Sequence, residues 1–281
     1  GSSSTGERPL RMRKVAGSSP VCSNIKMRIL LTNDDGIFSD GLKILYKYLK
    51  EIAEIFIVVP ETEKSATSHS INLLNPVRVK EVKINNFLCF VVSGTPVDCV
   101  KIGVRKLIKE KIDMVISGIN PGPNLGMDIL YSGTVSAACE GAILGIPSIA
   151  VSIADYKNFK FDECSKVVLK LMDKIKNLKF PKDTILNINI PNRKINEIKG
   201  IKIAYQSKSR FNEEYEKRID PRGNIYFWLK GNFKEVKGEK YSDVDAVKNG
   251  YVSITPIQLN LTNFNFLKIL KAGKFEKFKF K

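Results

Sequence analysis

The chain is predicted to be an α/β protein: a mainly parallel sheet flanked by helices. Between Arg28 and Ile190, apolar runs of four to seven residues alternate with stretches of helical period. Two of the runs stop at a proline, Pro60 and Pro191. From about residue 200 the composition shifts to Tyr, Lys and Asn, with sparse apolar residues. Short buried strands alternating with amphipathic helices make βαβ units, whose helices cover both faces of the sheet.

Residues 1–26 open Gly1-Ser2-Ser3-Ser4, are rich in Ser and Arg, and have no hydrophobic period. They read as an expression leader or a disordered extension; an Arg- and Ser-rich transit peptide has the same composition. The α/β core is expected over 27–199. Its elements in order are strand at 28–31, helix at 41–50 (Leu42, Leu45 and Leu49 share a face), strand at 55–59, and paired strands at 77–82 and 87–92 about an Asn85-Asn86 turn. Helix follows at 97–108, strand at 114–117, small-residue helix at 134–144 ended by Gly145, strand at 148–153, helix at 167–175 and strand at 185–190. Residues 200–281 are expected to form a β-rich extension that packs on the sheet or reaches to another subunit. Its strand-like pieces lie at 201–205, 225–229 and 251–255, with alternating Phe and charge at 274–281.

Composition excludes several classes. A single histidine, His69, rules out sites built from two imidazoles. The five cysteines are odd in number and never spaced Cys-x-x-Cys, which argues against a thiolate zinc site or a disulfide framework and for the cytoplasm. No run of 18 apolar residues exists to form a membrane-spanning helix. The net charge of +17 is concentrated at the two ends, and no basic run interleaved with aromatics occurs outside the tail. The lysines therefore read as a solvated surface, and no obligate nucleic-acid partner is expected.

In an open parallel sheet, ligands bind beyond the carboxyl ends of the strands, so the loops after each strand carry the chemistry. After the first strand comes Thr32-Asn33-Asp34-Asp35-Gly36, and after the second Lys64-Ser65-Ala66-Thr67-Ser68-His69. After the strand at 114–117 comes a Gly-rich loop containing Asn120. Two adjacent carboxylates repel unless a cation lies between them or one is protonated. An oxygen-only set of Asp, Asp, Ser and Asn suits a hard divalent cation; a capped turn is the structural alternative for Asp34 and Asp35. Tyr131-Ser132-Gly133-Thr134 falls at an expected helix start. Free N–H groups there make an anion site, although simple capping by Ser132 or Thr134 uses the same residues. A cation site beside an anion site is what phosphoester hydrolysis needs.

Met27-Arg28-Ile29-Leu30-Leu31-Thr32-Asn33-Asp34-Asp35-Gly36 resembles the opening of the SurE (survival protein E) family of metal-dependent nucleotidases. So do Gly94-Thr95-Pro96-x-Asp98-Cys99, Ser117-Gly118-Ile119-Asn120-x-Gly122-x-Asn124-x-Gly126-x-Asp128 with Tyr131-Ser132-Gly133-Thr134-Val135, Asp220-Pro221-Arg222-Gly223, and Gly250-Tyr251-Val252-Ser253-Ile254-Thr255-Pro256. The resemblance runs in register from Met27 to about Thr262. It implies a Rossmann-like fold whose C-terminal extension exchanges between subunits of a homodimer or homotetramer. It implies one divalent cation per subunit, Mg²⁺ or Mn²⁺, held by Asp34, Asp35, Ser65 and Asn120. Asp34 and Asp35 would be the catalytic pair, and Asn120, Ser132, Gly133 and Thr134 would hold the phosphate. The activity implied is hydrolysis of nucleoside 5′- and 3′-monophosphates, with short polyphosphate as a further substrate, by a metal-activated water. Departures from the family pattern at Ala66, Val59 and Asn260 touch no ligand. The group that protonates the leaving oxygen is left among His69, Asp128 and water. Other chemistries open to the same residues are an aspartyl-phosphate intermediate, against which the absence of Asp-x-Asp spacing counts, and nucleotide binding without catalysis.

Overall fold

The computed structural model describes residues 26–84, 87–273, 276 and 278. Residues 1–25 of the segment expected as a leader or disordered extension, the expected turn at Asn85-Asn86 and nearly all of residues 274–281 lie outside the described residues. The first half of the chain folds as β1 (Met27–Thr32), α1 (Asp40–Leu49), β2 (Ala53–Pro60), β3 (Val79–Ile84), β4 (Phe87–Val92), α2 (Pro96–Ile102), β5 (Met114–Pro121) and α3 (Gly133–Ile143). The second half adds β6 (Ser148–Ala154), α4 (Phe161–Ile175), β7 (Thr184–Pro191), β8 (Ile201–Ile203), β9 (Arg210–Ile219), β10 (Ile225–Lys234), α5 (Asp243–Lys248), β11 (Val252–Gln258) and α6 (Phe264–Ala272). Among the described residues no helix is long and apolar enough to cross a membrane.

Nine strands form one sheet in the order β3-β4-β2-β1-β5-β6-β7-β11-β8. The six from β4 to β7 are mutually parallel, β3 is antiparallel to β4, and β11 is antiparallel to β7. The chain winds from β1 out to β2 and β4, then returns to β5 on the other side of β1 and continues to β6 and β7. The order reverses between β1 and β5, and such a reversal opens the crevice where doubly wound sheets take their ligands.

Burial on both faces explains why β1 is apolar without a break from Ile29 to Leu31. Ile29 and Leu31 pack with Leu42, Leu45 and Leu49 of α1 and Val168, Leu171 and Met172 of α4. Leu30 points the other way, into a cluster with Val58, Val115, Val100 of α2 and Ala137 of α3. Leu30 and Leu31 are fully buried, and each contributes about 2–3 kcal/mol by leaving water. The small residues of α3 (Gly133, Ser136, Ala137, Ala138, Gly141, Ala142) are all buried, so this helix lies close against the sheet.

The sequence reading departs from the structure at several elements. The helix expected at 97–108 ends at Ile102 and widens into a π-helical turn, Gly103–Leu107, after which Ile108 returns to the core. The helix expected at 167–175 begins six residues earlier, at Phe161. β9, α5 and α6 were not expected. β9 lacks an apolar run and is held by ten-residue pairing with β10; α5 is too short to show a period; and α6 buries none of its residues. Within 200–258, β8 and β11 join the main sheet, whereas β9 and β10 form a separate two-stranded hairpin.

Candidate active site

The turn after β1 is built by Asn33. Its Nδ2 donates to the Gly36 carbonyl at 3.0 Å, and its Oδ1 accepts the Gly36 N–H at 3.2 Å. Gly36 sits at φ +86°, where a side chain is strained. The turn aims both carboxylates inward. Asp34 is 4% exposed. Burial pushes its pKa up, opposed by the hydroxyl and the backbone N–H of Thr134, and the net shift is upward. Asp35 is pushed up to about 7 by burial and then by the charges of Asp34 and Glu63, with a hydrogen bond from Ser39 opposing. Its Oδ2 is buried and has no hydrogen-bond partner.

The start of α3 closes on Asp34. The Thr134 hydroxyl donates to Asp34 Oδ1. A Cβ placed on Gly133 would lie 2.8 Å from both Cβ and Oδ2 of Asp34, so this position admits only glycine without movement. Ser132 caps the helix: its Oγ accepts the Val135 N–H at 3.1 Å. Capping leaves the Ser132 hydroxyl proton for a second partner.

The other two corners are nearby. Lys64 N–H donates to the Asp34 carbonyl at 2.7 Å and so pins the loop after β2 over the aspartate pair. The Ser65 hydroxyl, on the exposed side of that loop, donates to Glu63 Oε1 at 2.7 Å. Asn120 belongs to β5 itself, which runs to Pro121 beyond the expected end at Ser117, and the pairing register shifts between Ser117 and Asn120. Its Nδ2 donates to the Gly122 carbonyl at 2.9 Å, which leaves Oδ1 as the atom available to a cation. The structure thus joins Asp34, Gly133 and Thr134 directly, sets Asp35 and the Ser65 loop against them, and stands Asn120 at the end of the neighbouring strand.

Supporting residues that the sequence reading missed are Glu63, Ser39, Asn187 and Asn189. Asn187 and Asn189 donate to the Asn124 carbonyl at 2.8 and 2.9 Å, and Asn189 Oδ1 accepts the Asn124 N–H. They hold the Gly-rich loop after β5. Two asparagines inside an otherwise apolar strand were the available signal, because buried amides need partners. Asp243, also missed, is buried and ties Gly126 and Ser207 together through backbone hydrogen bonds of 2.9 Å.

His69 pairs with a carboxylate of α3. Its Nε2 lies 3.0 Å from Glu140 Oε2, and Lys101 Nζ is 3.2 Å from Glu140 Oε1. Burial pushes the Glu140 pKa up, but the bonds from His69 and Lys101 and their charge bring it net below the usual range. This buried carboxylate fastens the Ser65 loop and α2 to α3. Glu140→Gln is expected to destabilise the fold by about 2 kcal/mol in urea unfolding, less than a fully buried pair because His69 and Lys101 both reach water. An unchanged midpoint would show that the loop is held by its backbone contacts alone.

A cation fits this chemistry. Both carboxyls are disfavoured as bare anions, and one buried oxygen is orphaned. Among the described residues no group of three His, Cys, Asp or Glu side chains could hold a metal, so neutral oxygens from Asn, Ser or water must complete any shell. The pair also makes a pH prediction. The folded pKa of Asp35 lies above its unfolded value, so the folded state binds more protons between about pH 4 and 7. Metal-free protein is therefore expected to lose stability as pH rises through that window, and Mn²⁺ should restore it above pH 7. Thermal melts in chelator from pH 4 to 8 check this; a rising melting temperature would contradict it.

A family model described as "Survival protein SurE" matches residues 29–213. The 5′-nucleotidase SurE of Petrotoga mobilis is 47% identical over 248 residues, covering 88% of this chain and 98% of that protein. The protein of the same name from Alkaliphilus metalliredigens is 44% identical over 254 residues, covering 89% and 100%. The crystal structure of the SurE protein from Aquifex aeolicus superimposes with a TM-score of 0.77 at 43% identity, covering 88% of this chain and 99% of that one. A doubly wound sheet with an aspartate pair at its reversal, matched over nearly the whole length of these relatives, leaves one conclusion: the chain belongs to the SurE family.

Proposed function

We propose that the chain is a divalent-metal-dependent phosphomonoesterase that hydrolyses nucleoside 5′- and 3′-monophosphates to nucleoside and phosphate, with short polyphosphate as a further substrate. It is a nucleotidase, as its relatives are named. The observation that carries the metal dependence is the buried, partnerless Oδ2 of Asp35 beside Asp34, at the reversal of the sheet. Asp34, Asp35, Asn120 and Ser65 are the residues that would hold Mg²⁺ or Mn²⁺. Such an ion, when bound, supplies Lewis acidity and a water of lowered pKa. The protein's own part is orientation. Thr134 fixes the Asp34 carboxylate, Ser39 hydrogen-bonds Asp35, and the Ser132 hydroxyl with the Gly133 N–H that opens α3 receives phosphate oxygens.

The β9–β10 hairpin supports a homodimer or homotetramer in which the C-terminal arm is exchanged. Tyr215, Ile219, Ile225 and Trp228 are exposed on it, and an isolated two-stranded hairpin is marginal in water. The four described cysteines are unpaired and buried, in keeping with the cytoplasm. The test is phosphate release from 5′-AMP, 3′-AMP and tripolyphosphate in chelator, Mg²⁺ and Mn²⁺, with light scattering for the assembly. Full turnover of AMP in chelator would refute the metal dependence.

A further inference from the structure

A cleft of about 580 Å³ opens beside the aspartate site, and neither the metal ligands nor the phosphate segment accounts for it. That volume is in the range of small-molecule sites. Its walls are covalent neighbours of the candidate site: Ala66 follows Ser65, and Tyr131 precedes Ser132. The opposite wall is the root of the hairpin, with Phe211, Asn212 and Leu229. Tyr131 and Leu229 are more than half exposed within the chain.

The two walls are fixed relative to each other. Met127 N–H donates to the Ser209 carbonyl at 2.8 Å, Phe211 N–H to Asp128 Oδ1 at 3.0 Å, and Gln206 Nε2 to the Gly126 carbonyl at 2.9 Å. The cleft is therefore preformed. Its charges oppose one another: Arg210 is set against Asp128 and Glu213. A cleft meant for further phosphates would be cationic, as anion sites are. This one offers aromatic and apolar surface with a few amide and carboxylate acceptors, which suits a flat, uncharged heterocycle.

We propose that the cleft between Tyr131 and the hairpin root receives the nucleoside part of the substrate, the base resting against Tyr131 and Phe211. This rests on the nucleotidase reading and adds to it the place where nucleotides are told from smaller phosphoesters. Asp128, placed by sequence among the candidate proton donors, then serves to hold Phe211 in the cleft wall.

The test compares Tyr131→Ala, Tyr131→Phe and Phe211→Ala with the unaltered protein, using 5′-AMP and glycerol 2-phosphate as substrates and calorimetric titration with adenosine. For both alanine variants kcat/KM for AMP is expected to fall about tenfold more than kcat/KM for glycerol 2-phosphate, mainly through KM, because base–aromatic stacking is lost. Tyr131→Phe keeps the ring and should rescue AMP. Adenosine should bind the unaltered protein and bind both alanine variants at least tenfold more weakly. Equal losses on the two substrates, or adenosine binding untouched by either substitution, would overturn the proposal. Adenosine binding by itself, without AMP turnover, would sink the nucleotidase reading and leave the cleft assignment standing.

Discussion

Asp34→Asn is expected to lower kcat/KM for AMP on the order of 10³-fold, with the fold intact. Asparagine keeps the size of the side chain and still offers Oδ1 to the Thr134 hydroxyl, so the contact that closes α3 on the turn survives. What goes is the negative charge that a cation needs. Removing it also relieves the repulsion that raises Asp35, so the metal-free variant should melt no lower than the unaltered protein at neutral pH. Phosphate release, Mn²⁺ titration and thermal melts measure the three quantities. Near-normal turnover in Mg²⁺ or Mn²⁺ would mean that the carboxylate pair is a capped turn and no more.

Gly133→Ala should be nearly as damaging by a different route. The added methyl would stand 2.8 Å from Cβ and Oδ2 of Asp34, a contact that real Cβ atoms essentially never make. Asp34 is buried, so the aspartate or the first turn of α3 has to move. A displacement of about 1 Å at a reacting group costs on the order of 10²-fold in rate. The overpacking costs about 1–3 kcal/mol in stability. Kinetics on AMP together with urea unfolding separate the two effects. If the variant lost stability and kept its rate, the close fit between α3 and the aspartate would serve packing alone.

Much of the arrangement was legible beforehand, for local reasons. The apolar run Ile29–Leu31 and the helical spacing of Leu42, Leu45 and Leu49 place β1 and α1 within a residue or two, and the Asp pair follows the strand after the single residue Asn33. The end of the strand that contains Gly118 was harder to place. β5 runs on to Pro121, because neighbouring β6 pairs with Asn120 and Pro121 after a register shift, and no periodicity within 114–121 shows that. β9 was hidden for the same kind of reason: in Arg-Phe-Asn-Glu-Glu-Tyr-Glu-Lys-Arg-Ile the apolar residues Phe211, Tyr215 and Ile219 fall four apart, a spacing that fits one face of a helix as well as one face of a strand, and only its partner β10 makes it a strand. His69 is the clearest case within the site. Its position in a loop after β2 allowed an acid–base role; its actual partner, Glu140, lies 71 residues away on α3.

From its amino acids alone, then, this protein's layering, its chemical inventory and its kinship could be read. Hydrophobic period is a property of neighbouring residues, and the five motifs sit in contiguous stretches of chain. Tertiary structure decided the rest. It brought β1 beside β5, turned Gly133 into the wall behind Asp34, lifted the Asp35 carboxyl to about 7, and stood Tyr131 opposite the hairpin root. Dehydration and electrostatic coupling depend on which distant segments surround a group, and that surrounding exists only once the sheet has closed around it.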